Sequence, residues 1–315
     1  MLLTRYIAAM RKPWFVSLGW HYVKASRILI ADNVRSLRYS APLEKFGFVK
    51  ADKVKLKCML QKDLHRIEKG LSLKMARIPF GLDLDERVSN ILNNSVAPQI
   101  DLEYRRQAEA FVHELELWNQ TGHRKTGIAI SKVETPNFSK HRELFRTFFL
   151  SRRSIRDFSP ELPPQEDIEE AIEWALNSPS VCNRQAWKVW LIKDPSKLHQ
   201  VRNLQNGNAG FSNLHTMLVI GVDRRMFTLG LERNQLWVDG GMFAMSLSWS
   251  LHSKNIGSCF LNWAESTQKT EALRRLLSVS EEYEFVTLCA IGITSDDCFA
   301  PISKKKTLQQ GLVVV

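Results

Sequence analysis

Three arginines and a serine fall within five residues at Arg152-Arg153-Ser154-Ile155-Arg156. A guanidinium is a planar fork of donors that matches phosphate oxygens, and a serine adds one short hydroxyl. The run therefore has the makings of an oxyanion cradle, although the same composition also suits a solvated surface. A second polar segment follows at Pro179-Ser180-Val181-Cys182-Asn183-Arg184-Gln185-Ala186-Trp187. It lies between the end of a helix and the start of an apolar strand. There, short polar side chains serve either a ligand at a sheet edge or the loop's own backbone. No G-x-G-x-x-G occurs, so nothing supports a Rossmann nicotinamide domain. His65 and Glu68 share a helix face without a third ligand, and no metal site is expected. The five cysteines form no CxxC pair and are odd in number. A zinc site and a disulfide framework are both poorly supported, and a reducing, cytoplasmic setting fits best. Cys182 and Cys259 read as structural thiols.

These residues need elements to hold them. Leu60, Leu64, Ile67 and Leu71 recur at helical spacing, with Gly70 a candidate terminator. A second helix is predicted over Leu102–Asn119 and closed by Gly122, and a third over Lys140–Leu150. Between them, Thr135-Pro136-Asn137 marks the best linker. After Pro163-Pro164, the apolar residues Ile168, Ala171, Ile172, Ala175 and Leu176 describe an amphipathic helix that Asn177-Ser178-Pro179 stops. Strands are predicted over Trp187–Lys193, Thr216–Val222 and Phe285–Ile293. Gln235–Ser253 is apolar on nearly all sides, as in a helix buried all round, in a core or between subunits. Helices alternating with spaced strands imply a layered α+β or α/β fold.

Composition is that of a globular chain, with 44% hydrophobic and 24% charged residues among 315. The net charge of +11 is uneven. Residues 1–80 hold 17 Lys or Arg against 5 Asp or Glu, a balance of +12, so the remainder is near neutral. Short apolar clusters, Trp14-Phe15-Val16 and Ile28-Leu29-Ile30, sit among Arg5, Arg11, Lys12, Lys24, Arg27, Arg35 and Arg38. That mixture suits either an anionic surface (the inner face of a membrane, or an acidic protein) or a helix packed on its own domain with its basic side in water. Nucleic acid is disfavoured because no recognised binding motif accompanies the charge. No apolar stretch near the start approaches the ~20 residues of a spanning helix. Arg11, Lys12 and Pro13 break the only candidate core of a signal peptide.

Taken in order, the R-R-S-x-R run and the P-S-x-x-N-x-Q-x-W segment resemble the nitroreductase family of FMN enzymes. So do four later features. Asp239-Gly240-Gly241 stands where the buried helix opens. Asn255-Ile256-Gly257-Ser258-Cys259-Phe260-Leu261-Asn262-Trp263 stands where it closes, resembling a glycine turn that brings backbone against the flavin. Ala290-Ile291-Gly292 resembles the last core strand, and the tail from Pro301 through Lys304, Lys305 and Lys306 a basic phosphate-binding segment. The resemblance implies a three-layer α+β fold with a central mixed sheet flanked by helices. It would occupy residues 139–315, after a mostly helical extension over 1–138. It also implies bound FMN held by Arg152, Arg153 and Ser154 with Lys304 and Lys306 at the phosphate, and Arg156 near the N1–C2=O edge. Asn183 would meet the pyrimidine side. Pro179, Ser180 and Val181 would lie beside the ring from the other subunit of a homodimer. Backbone around Ser258, Cys259, Leu261 and Asn262 would face N5.

The implied activity is hydride transfer from NAD(P)H to a small electron-poor acceptor, a quinone or nitroaromatic, in one shared pocket. No protein nucleophile or base is required. Dehydrogenation of a biosynthetic intermediate, or a non-catalytic role carried by the basic half, are the alternatives. Ala186 stands where many members have Pro, Lys306 where the tail usually has Arg, and Phe260-Leu261-Asn262-Trp263 where many have a Pro- or Gly-rich turn. In the first half, His65-Arg66-Ile67-Glu68-Lys69-Gly70-Leu71 and Phe80-Gly81 resemble extended members associated with bacterial polysaccharide gene clusters.

Overall fold

In a computed structural model, residues 14–42, 52–124 and 137–315 are described. Thr135 and Pro136 of the expected linker, and Arg5, Arg11 and Lys12 of the basic arm, lie outside these residues.

The first half is helical. A long helix, α1 (Trp14–Tyr39), precedes α2 (Lys53–Ser72), α3 (Leu82–Leu92) and α4 (Leu102–Thr121). Each boundary has a local cause. Asp52 accepts hydrogen bonds from the backbone N–H groups of Val54 and Lys55 and so starts α2. Asp101 does the same for Glu103 and Tyr104 at the start of α4, and Gly122, at φ 68°, ends that helix. Gly70 does not terminate α2, as its sequence position suggested. It lies inside the helix, where a Cβ would stand 2.2 Å from the Phe80 ring. The glycine is there for packing. Leu56, Leu60, Val88 and Ile91 form one small core among α2, α3 and α4, and Ile67, Leu84, Leu115 and Trp118 form another.

The second half is layered. α5 (Arg142–Ser151) and α6 (Gln165–Ala175) lead into β1 (Trp187–Ile192), α7 (Pro195–Leu204) and β2 (Thr216–Asp223). Then follow α8 (Gln235–Ser253), β3 (Ile256–Asn262), α9 (Thr267–Leu277) and β4 (Tyr283–Ile293). The sheet order is β1-β2-β4-β3. All eight residues of β2 are buried, as a central strand covered on both faces requires. Its side chains alternate: Leu218, Ile220 and Val222 pack toward α6 and α8, while Met217 and Val219 pack toward α7 and α9. This is the three-layer α+β arrangement. The ladders between named strands are antiparallel, and parallel pairing is confined to isolated bridges such as Ser154 with Ser258.

Three sequence readings change here. The Asn255–Trp263 stretch is a strand, not a turn: β3 pairs with β4 from Ile256 to Asn262 and forms a sheet edge. Asp239, Gly240 and Gly241 lie within α8, whose first residue is Gln235. Finally, α8 is not buried all round in one chain. Trp237, Val238 and Met245 form an exposed stripe while Leu236, Phe243 and Leu247 are buried.

The two halves are not independent. Ala41 and Cys58 belong to the core beneath α6 and α8. Ala41 exchanges backbone hydrogen bonds with Phe227 and Leu229, at 2.8 and 3.0 Å. Arg35 and Arg38, counted above as surface charge, pair with Glu284 and Glu281. Part of the basic excess is thus spent on docking α1 against the sheet domain, while Arg27 stays exposed. Among the described residues no helix is long and apolar enough to cross a membrane.

Candidate functional site

The arginine run meets β3 at one bridge, Ser154 with Ser258, and the chain then crosses to the end of β4. Ile155 N–H donates to Ser258 O at 3.0 Å, and Ser159 N–H donates to Ile293 O at 2.8 Å. Two glycines permit this close approach. A Cβ on Gly257 would stand 3.1 Å from Ile155, and one on Gly292 would stand 2.7 Å from the fully buried Phe158 ring. Such contacts are tighter than packed interiors tolerate. Gly257 and Gly292 therefore seat the segment, and the segment presents Arg152, Ser154 and Arg156.

Beside it lies a cleft of about 420 Å³, lined by Ser151, Arg152, Arg153, Ile155, His252, Asn255, Gly257, Ser258 and Thr294, among others. Arg152 and Ser154 are half-buried, and Arg156 is exposed. Neither Arg152 nor Arg156 has a carboxylate partner among the described residues. Of the run, Arg152, Arg153 and Ile155 line the cleft, whereas Ser154 and Arg156 are not among its lining residues. A guanidinium without a counter-ion at a polar cleft attracts an anion. Arg153 is partly used locally: its guanidinium donates to the carbonyls of Leu150 and Arg152, capping α5. The Arg152 guanidinium stands 5.9 Å from the Trp249 ring centroid, beside Phe148 and Phe149.

Two lining groups were not singled out from sequence. His252, at the end of α8, hydrogen-bonds Ser151 Oγ through Nε2 at 2.8 Å. Burial, helped by the charge of Arg152, holds the imidazole below its ordinary value. The two residues are 101 positions apart, so no local pattern could join them. Thr294 follows β4 and had no signal of its own.

The other implied residues divide. Ser258 lines the cleft. The side chains of Cys259 and Leu261 instead enter the core toward α7 and α9, as strand alternation demands, and both residues pair with β4. Burial pushes the Cys259 thiol up, against the opposing charges of Arg156 and Arg152. Asn262 is exposed, and its carbonyl accepts from Gln205. Lys304 and Lys306 are exposed beyond β4, and among the described residues no ion pair or hydrogen bond ties them to Arg152 or Ser154.

Pro179, Ser180, Val181 and Asn183 lie elsewhere. Their turn precedes β1, the opposite edge of the sheet from β3. Three inter-strand spacings, roughly 14 Å, separate the two edges. The turn is built with care. Cys182, Asn183 and Gln185 all have positive φ, near 50°, a conformation costing of order 1 kcal/mol or more for such residues. Val181 N–H donates to the buried Asp239 at 3.1 Å, and Ser180 Oγ accepts from Gln185 N–H at 3.0 Å. Burial raises the Asp239 carboxyl above its ordinary value despite that bond. Arg184, between them, points inward. It makes a bidentate pair with Glu232 at 2.9 and 2.7 Å and also donates to Met226 O and to Cys58 of α2. Burial pushes the Cys58 thiol up to about 11.

The second half is thus a three-layer α+β arrangement with a cationic cleft beside β3. Residues 150–210 match the family model described as Nitroreductase family. A relative from Archaeoglobus fulgidus, described as an NADH dehydrogenase/NAD(P)H nitroreductase, is 24% identical over 148 residues, covering 47% of this chain and 83% of its own. A solved structure from Bacillus subtilis described as a nitroreductase superposes with a TM-score of 0.50 at 16% identity, covering 56% of this chain and all of its own. A nitroreductase with bound FMN from Desulfitobacterium hafniense DCB-2 gives a TM-score of 0.44 at 20% identity, covering 54% of this chain and 97% of its own. The match to the family model is thus confined to residues 150–210, and the likeness to the solved nitroreductases is one of fold.

Proposed function

We propose that the protein is an FMN-dependent oxidoreductase that takes hydride from NAD(P)H and passes electrons to a small electron-poor acceptor, such as a quinone or nitroaromatic, in one shared pocket. The observation that carries this reading is the pair of arginines without counter-ions, Arg152 and Arg156, flanking Ser154 on a segment pinned to β3. Bound FMN would supply the hydride-accepting and hydride-donating chemistry. Arg152 and Ser154 would hold its phosphate, with Arg153 contributing the donors not spent on α5 and Lys304 and Lys306 completing the site. Arg156 would place a fixed positive charge at the ring edge where negative charge accumulates on reduction. The outer strand β3, from Ser258 through Cys259 and Leu261 to Asn262, would lie against the ring.

The reading includes a homodimer. One chain places Pro179, Ser180, Val181 and Asn183 at the sheet edge opposite Arg152, so a second copy is needed if both groups are to touch one flavin. The exposed apolar stripe of α8, with Phe145 and Phe149 of α5, supplies a face of the kind that subunits cover.

Anaerobic addition of NADH or NADPH to the flavin-loaded protein is expected to bleach the visible flavin band, and a quinone to restore it. Absence of bleaching with either nucleotide overturns the enzyme reading. Placement of the phosphate is tested separately. Charge-assisted contacts contribute roughly 1.5–3 kcal/mol, so Arg152→Ala is expected to weaken FMN binding about ten-fold or more. Fluorescence titration of the apoprotein reads this directly, and wild-type affinity in the variant would remove Arg152 from the site.

A further inference from the structure

A second polar cavity, of about 430 Å³, lies where the helical half meets the turn before β1. Its walls are Lys57 and Gln61 of α2, Tyr104 and Gln107 of α4, and the turn residues Asn183 and Gln185, with Arg184 at its base. The hydrogen-bonding state of these groups is uneven. The Tyr104 hydroxyl donates to Gln61 Oε1, and Gln185 Nε2 donates to Asn183 Oδ1 at 3.0 Å. The carbonyl oxygens of Gln61 and Asn183 are thereby occupied, while the amide N–H groups of both have no protein partner among the described residues. The Lys57 ammonium sits 4.7 Å above the Tyr104 ring and has no carboxylate partner among the described residues. No Asp or Glu lines the cavity, and Glu232 beneath it is neutralised by Arg184.

A concave site with a cation and several donors, and no acid, is matched to an oxygen-rich anion. Its walls are rigid. Arg184 ties the turn to Cys58 of α2, and the left-handed backbone at Asn183 and Gln185 fixes where their amides point. We propose that this cavity is an anion-binding subsite for the electron acceptor. It would take a small molecule that presents a carboxylate, sulfonate or phosphate to Lys57 and further oxygens to Gln61 and Asn183. The helical extension would then set acceptor specificity. The assignment to the acceptor rests on the oxidoreductase reading, and the assignment of an anion site does not.

The probes are 1,4-naphthoquinone-2-sulfonate and its neutral parent, 1,4-naphthoquinone, with the full-length flavin-loaded protein. Lys57→Gln removes the cation from an exposed position, and Lys74→Gln removes an equal charge that does not line the cavity. Calorimetry is expected to show affinity for the sulfonate falling about ten-fold in Lys57→Gln and unchanged in Lys74→Gln. With NADH as donor, the ratio of kcat/KM for the sulfonated over the neutral quinone should fall by a similar factor in Lys57→Gln only. If neither quinone is turned over, the oxidoreductase reading fails and binding alone decides the anion site. A change in affinity without a change in the ratio overturns the acceptor assignment. Equal behaviour of the two lysine variants in the binding assay overturns the site itself.

Discussion

Replacing Glu232 with alanine is expected to lower the thermal midpoint by on the order of 10 °C. The Arg184 side chain is fully buried, and Glu232 is its only carboxylate partner among the described residues. Removing one member of a buried pair leaves an unneutralised charge in the interior, which costs roughly 3–5 kcal/mol. In a domain of this size each kcal/mol moves the midpoint by about 2–4 °C. Glu232 also accepts from the Thr228 N–H and hydroxyl, at 2.7 and 2.6 Å, so the variant unsatisfies a second position. The effect should depend on pH. Burial pushes the Glu232 carboxyl up, but the hydrogen bonds from Arg184 and Thr228 outweigh it, and the group lies below its ordinary value of 4.5. A carboxyl depressed in the folded state contributes stability that is complete above the unfolded value and lost as pH falls through the folded one. Wild type and Glu232→Ala should therefore differ most near neutral pH and converge only as pH falls below the ordinary carboxylate range and through the depressed folded value. Melting curves at pH 7 and in acid check both parts. Midpoints within 2 °C of each other at pH 7 would show that the pair is dispensable.

That pair also illustrates what sequence pattern conveys and what it cannot. Helices with one apolar stripe, such as α6, and strands with continuous burial, such as β2, announce themselves through periodicity alone. Gln235–Ser253 was legible to the residue because its apolar run is unbroken, yet its composition could not tell a core face from an exposed stripe at Trp237, Val238 and Met245. For β3 the family resemblance implies a glycine turn over Asn255–Trp263, whereas Ile256–Asn262 is a strand. The strand needs glycine there to admit Ile155, a partner about 100 residues away in the chain. The arginine run was visible as a cluster, but not that Arg153 would turn back to cap α5 while Arg152 and Arg156 stayed without counter-ions. His252, Thr294 and Lys57 gave no local signal. Each acquires its role from a neighbour brought in by tertiary packing. The same holds for the relation between the halves: charge places a basic excess at one end, and only the fold shows Arg35 turned inward onto Glu284 while Arg38 meets Glu281 at the surface.

Glu284→Ala is expected to loosen that junction, with a fall in midpoint comparable to that of Glu232→Ala. Glu284 lies on β4, and its carboxylate is largely buried. It accepts from Arg35 of α1 at 2.8 Å and from Arg224 at 3.0 Å, and it stands 3.8 Å from Arg274 of α9. The side chains of Arg224 and Arg274 are only 2% and 3% exposed. Burial, with the charge of Arg35 behind it, already holds the Arg274 guanidinium below its ordinary value, so its counter-charge is needed. Arg224 would keep Asp32 of α1 at 2.8 Å, and that carboxylate is shared with Arg233 at 2.9 Å. Asp32 is more exposed than Glu284, so solvent compensates part of its loss, and Asp32→Ala should cost less, about 1–2 kcal/mol. The order of effects distinguishes a helix docked by a buried network from one resting on surface charge. In the first case Glu284→Ala is the larger loss and persists at 0.5 M salt. In the second, both substitutions are small and salt removes them. Limited trypsin digestion supplies an independent measure, because release of α1 frees the chain at Arg35, half-buried in the docked helix, for cleavage. Unchanged melting and unchanged digestion in Glu284→Ala would mean that α1 is not held by this network.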